Sequence, residues 1–238
     1  MTFLLLLAAM AVIGGGLLLR KRSEGSSRAV IGIGVLGLIA VAVLQARQTV
    51  FPSRPKTDNS AMALSYCLAT SMFGDMQGKS GRVVLLFPQP GVMDHDMEGN
   101  FVNGFRVAMR HGGRGLALKD VHLEGGADDP SSFKRALAEA PDAIAVVSYA
   151  GAPAGLEKLY PPGQEGPLFY VFDAKGTTDW LAALKGGRIR AVAVPRPGVQ
   201  RQGQESAAGT PETIFDQFYL LATEENADDA AASLKAHK

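Results

Sequence analysis

The stretch Arg82-Val-Val-Leu-Leu-Phe-Pro-Gln-Pro-Gly91 sets a continuous apolar run against an abrupt Pro/Gly stop. An apolar run without polar alternation fits a strand buried on both faces, as in parallel sheets. Further strands are predicted at 118–123, 143–149, 168–172, 189–194 and 218–223. Helical stretches separate them, at about 98–111, 131–140, 155–160, 177–185 and 224–235. Phe101, Phe105 and Met109 keep helical spacing in the first, and Asp128-Asp129-Pro130-Ser131 marks the start of the second. This alternation predicts an α/β fold over 81–238, a doubly wound and mostly parallel sheet with helices on both faces. Ligands of such sheets bind beyond the carboxyl ends of the strands.

Upstream, Asp58-Asn59-Ser60 can cap a helix within a connecting segment 58–80, with Met62, Leu64, Leu68, Met72 and Phe73 as its packing residues. Cys67 lies on this helix and reads as a small buried hydrophobe. As the only cysteine, it excludes an intramolecular disulfide. Residues 47–57, with Phe51-Pro-Ser-Arg-Pro55, read as a linker.

Before the linker the sequence turns apolar. Thr2–Leu19 and Ala29–Leu44 carry no charge over 18 and 16 residues. As helices they would rise roughly 27 and 24 Å, close to the ~30 Å bilayer core. Residues 1–46 are therefore expected to form a transmembrane α-helical hairpin, with helices at about 2–19 and 29–45. The loop 20–28 holds Arg20, Lys21, Arg22 and Arg28, which favours a cytoplasmic turn. Met1 and the α/β domain would then stand on the periplasmic side of the cell inner membrane. Gly14, Gly15, Gly16, Gly32, Gly34 and Gly37 suit close helix packing, against each other or against other membrane protein subunits.

The chain has 238 residues, 24 Lys plus Arg and 23 Asp plus Glu, a net charge of +1. Nothing in that balance supplies the basic footprint of a nucleic-acid binder. Gly32-Ile-Gly-Val-Leu-Gly37 matches a dinucleotide fingerprint, but no strand precedes it. Gly74-Asp-Met-Gln-Gly-Lys-Ser80 is one residue short of a phosphate loop and stands before a strand rather than after one. Ser131-Ser-Phe-Lys134 has neither companion motif of the penicillin-recognising enzymes. Asp94-His95-Asp96 reads as a helix cap with its dipole partners. No catalytic set, metal site or cofactor is expected. Two irregular stretches stand out, 161–166 and 198–211; the first reads as a turn-rich connection, and the second as either a binding loop or plain disorder.

Val171-Phe-Asp173 and Trp180-Leu-Ala-Ala-Leu-Lys-Gly-Gly-Arg-Ile-Arg-Ala-Val-Ala-Val-Pro-Arg-Pro197 resemble the type 1 periplasmic sugar-binding proteins and related repressors. In that family an Asp follows a strand, a Leu-bearing helix ends in Gly, and a further strand leads to Gln-x-Pro. Phe218-Tyr-Leu-Leu-Ala-Thr-Glu-Glu-Asn-Ala-Asp228 is similar to the family's closing strand and its Thr-x-Glu-Asn ending. The segment from Val83 to Arg110 is similar to its first strand and helix. The resemblance covers about 82–228. It implies a binding-protein-like lobe and makes Asp173 a match for the family's ligand-contacting Asp.

The departures concern the site. Family members have two lobes, whereas only about 157 residues remain from Arg82, enough for one. The family's Gln falls at Pro195, and its aromatic pair at Val92-Met93. Candidate ligand residues at the strand ends are Gln89, Ser148, Tyr149, Asp173 and Arg196. Two functions are expected. One is a non-enzymatic accessory or scaffold subunit of a membrane complex, in contact with other membrane subunits and the lipid bilayer. The other is a membrane-tethered small-molecule sensor or substrate-binding subunit.

Overall fold

The inner strands bury both faces and need cover on both, which the structure supplies with a three-layer arrangement. The computed structural model describes residues 57–126, 129–153, 155–160, 165–177, 179–199 and 207–236. Thr57–Lys238 forms a compact unit of its own. The hairpin expected at 1–46, its six glycines and the linker up to 56 lie outside the described residues. Among the described residues no helix is long and apolar enough to cross a membrane.

The strands are β1 Gly81–Phe87, β2 Leu116–His122, β3 Ala143–Ser148, β4 Leu168–Phe172, β5 Ile189–Pro195 and β6 Tyr219–Thr223. Their order in the sheet is β2-β1-β3-β4-β5-β6. The first five run parallel, and β6 pairs antiparallel with β5, Pro195 opposite Tyr219. The expected doubly wound, mostly parallel sheet is therefore present.

The helices are α1 Asn59–Asp75, α2 His95–Gly112, α3 Pro130–Ala138, α4 Leu156–Leu159, α5 Leu181–Lys185, α6 Pro211–Phe218 and α7 Ala227–Lys235. Helix α6 is an addition to the sequence reading. Thr210 caps it through Thr213 N, and Pro211 fills its first turn, where a missing N–H costs nothing. Helix α5 is shorter than expected, because Thr177 belongs to the preceding turn.

Side chains alternate across the sheet. Val83, Leu85, Phe87, Tyr170 and Phe172 join one core beneath α1, α2 and α6. Val84, Leu86, Phe169, Val171 and Trp180 join the other, with α3, α5 and α7. Helix α1 lies between α2 and α6 on the first face and packs closely on both. Gly104 of α2 makes that approach possible, since a Cβ there would stand 2.2 Å from the Met62 carbonyl oxygen.

Candidate functional site: the carboxyl edge of the sheet

The β1–α2 loop begins with a turn. Val92 N–H donates to Gln89 O at 3.1 Å, and Gly91 takes φ +87°, as a Pro-Gly pair in a type II turn requires. The turn lifts Gln89 into solvent and leaves Val92 73% exposed. Met97, in the first turns of α2, is 39% exposed. These two are the exposed large apolar side chains of the described residues.

At the start of α2, Asp94 accepts from Asp96 N, so the Asp-His-Asp run is a helix cap. Glu98 Oε1 meets His122 Nε2, at the end of β2, at 3.1 Å. Among the described residues no three His, Cys, Asp or Glu side chains gather as a metal ion would need.

Strand β3 ends at Ser148, fully buried, whose hydroxyl donates to Gly151 O at 2.7 Å. Tyr149 turns to the opposite face, as strand geometry dictates for the next residue. Its ring lies between Phe87 and Phe101, with centroids 5.1 and 4.4 Å away and nearly parallel planes. Its hydroxyl meets Ser65 of α1, and burial drives the phenol pKa up. The structure thus places Tyr149, a candidate ligand contact by sequence, in the core at 3% exposure.

Asp173, just beyond β4, is held by its own loop. Its carboxylate accepts from Lys175 N at 3.1 Å, Thr177 N at 2.6 Å and Thr177 Oγ1 at 2.8 Å. A carboxylate offers about four acceptor positions, so roughly one is left. Thr177 is the partner that sequence reasoning missed, and an Asp four residues before a Thr in a turn is its only signal. Beyond β5, Arg196 donates its backbone N–H to Phe218 O at 2.8 Å. Its Nη2 reaches Tyr219 O at 3.4 Å, while Nε is buried with no partner among the described residues.

Ser148 and Asp173 follow adjacent strands. Gln89 and Arg196 follow strands three places apart, roughly 14 Å at the usual strand spacing. Beneath the edge a layer of rings runs through His122, Phe87, Tyr149, Phe101, Phe172, Tyr219 and Phe215, successive centroids being 4.4 to 5.9 Å apart. The edge is therefore a floor with an apolar lip. A groove of about 330 Å³ lies elsewhere, outside α1, α2 and α6.

No family model matches the sequence, and no curated protein does. Solved structures do share the fold. One is a carbohydrate transporter solute binding protein from Agrobacterium radiobacter in complex with D-arabinose. It is 19% identical, covers 76% of this chain and 63% of its own, and has a TM-score of 0.50. A galactofuranose binding protein is 15% identical, with 76% and 64% covered and a TM-score of 0.52. The lobe has the type 1 periplasmic-binding-protein-like fold, and the chain spans less than two thirds of either neighbour's length.

Proposed function

We propose that this protein is a non-catalytic recognition subunit, a membrane-tethered sensor or substrate-binding protein whose carboxyl edge supplies one wall of a small-molecule site. The observation that carries it is the edge itself. Val92 and Met97 stand exposed there, with Gln89 beside them and the partly buried Arg196 further along the sheet. The neighbours' bound or named ligands, D-arabinose and galactofuranose, support a sugar-class ligand. Good sites bury most of their ligand, so one lobe needs a second wall from another protein surface.

The test is thermal unfolding of the full-length chain in mild detergent against a panel of pentoses and hexoses. One sugar should raise Tm, and Gln89→Ala and Arg196→Ala should each remove that rise. A flat panel would reject the small-molecule reading.

A second reading, the scaffold subunit, is favoured by Ser148 and Asp173, whose polar groups are engaged largely within their own loops. On this reading the edge takes a protein, and Val92→Asp should strip companions that otherwise co-purify. Both readings include the inner-membrane hairpin and the periplasmic lobe. They rest on the charge-free runs 2–19 and 29–44 and the basic loop between them. Protease added to spheroplasts should cut the lobe, and a protected lobe would reverse the topology.

A further inference from the structure

Helix α1 is uncharged from Asn59 to Gly74. Its inner side, with Leu64, Leu68 and Met72, is fully buried. Its outer stripe is Met62, Tyr66, Thr70 and Gly74, partly or wholly exposed. Surface helices ordinarily carry charge on the side that faces water. This one carries none.

The flanking helices do carry charge: α2 opens with Asp96 and Glu98, but its later turns are basic, whereas α6 is acidic. On α2 and just past its end, Arg106, Arg110 and Arg114 are exposed. On α6, Glu212 and Asp216 are exposed, close enough to Cys67 of α1 to help hold its thiol protonated. No ion pair among the described residues uses any of these five groups. Between the walls lies the groove of about 330 Å³, floored by Met62, Tyr66, Val107 and Ile214.

We infer that this face is the contact between two copies of the chain, related by a two-fold axis running along α1. Such an axis turns the face over and exchanges its left and right sides. The basic wall of one copy then meets the acidic wall of the other, twice, while α1 packs on its own image. An axis across α1 would instead set arginines on arginines, which costs energy. The pattern therefore selects one geometry of a self-complementary interface. That geometry also brings both copies of Thr57 to the same end of the dimer, so both chains enter the lobe pair from one side.

The experiment uses the full-length chain in mild detergent, with molar mass measured by light scattering after gel filtration. Arg106→Glu/Arg110→Glu has two acidic walls, and Glu212→Lys/Asp216→Lys has two basic walls. Each double variant alone should be monomeric, and an equimolar mixture should restore the wild-type dimer. All four positions are exposed, so folding is checked simply by circular dichroism. Separately, Thr70→Cys in a Cys67→Ser background should be joined into a covalent dimer by a short bis-maleimide, because the axis sets position 70 opposite itself. A monomeric wild type would overturn the inference. So would double variants that dimerise as well as wild type, a mixture that stays monomeric, or no cross-link at position 70.

Discussion

The phenol of Tyr170 on β4 donates to Asp75 Oδ2 at the end of α1, 2.6 Å away across 95 positions of sequence. Arg190, near the start of β5, adds bonds of 3.2 and 3.3 Å to the same carboxylate. One acidic side chain thus ties α1 to two central strands.

Removing that carboxylate leaves the Tyr170 hydroxyl without an acceptor. Asp75→Ala should cost about 1–3 kcal/mol of stability, read by urea unfolding at pH 7. Tyr170→Phe should cost less, because Arg190 still pairs with Asp75. Equal losses would show that the arginine contact contributes nothing.

The same site sets an acid limb. Burial pushes the Asp75 pKa up, but hydrogen bonds from Arg190 and Tyr170, with the arginine's charge, outweigh it and hold the carboxyl below its ordinary value. A depressed folded value stabilises the protein above the unfolded pKa, and that part is lost as pH falls through the folded one. Wild type should therefore lose stability below about pH 4, and Asp75→Ala should show a shallower fall over the same range. Parallel acid limbs would remove Asp75 from the account.

Two glycines of α2 predict changes of opposite sign. Gly104→Ala drives a methyl into the Met62 carbonyl and should cost about 1–3 kcal/mol. Gly99 has open space around its Cβ position, so Gly99→Ala should stabilise by about 0.5–1 kcal/mol through helix propensity. Urea midpoints moving the same way for both would contradict the packing described.

Phe101 is 2% exposed and stacks on Tyr149. Truncation to Ala should cost about 3–5 kcal/mol. Tyr149→Phe removes only the bond to Ser65, which keeps the Phe101 carbonyl as a partner, and should cost about 0.5–1.5 kcal/mol. A larger loss from Tyr149→Phe would mean the hydroxyl, not the stack, holds the edge.

Cys67 should resist alkylation. Burial first, then Glu212 and Asp216, push its thiol up to about 12. The nucleophile is the thiolate, so iodoacetamide at pH 8 should leave the folded protein unmodified and label it fully in denaturant. Rapid labelling of the native chain would place Cys67 on an open surface.

The strands were legible because burial on both faces forces unbroken apolar runs such as Val83–Phe87. Helix α6 has local signals too, since Thr210-Pro211-Glu212 carries a cap, a first-turn proline and an acid, but they sit at the end of an irregular stretch. At the candidate site, Asp173 was found from its motif, but its binding to Thr177 depends on how the turn folds back. Tyr149 is a candidate by sequence because it stands at the carboxyl end of the third strand, yet it lies in the core. A sheet covered on both faces buries either side of the strand.

The sequence alone determined most of the elements and the mostly parallel α/β class, since periodicity is a property of the chain taken in order. Tertiary structure decided the rest: the antiparallel β6, the ring layer beneath the carboxyl edge, and the setting of the uncharged outer stripe of α1 between α2 and α6. Each depends on residues far apart in sequence meeting in space, and local patterning carries no record of such meetings.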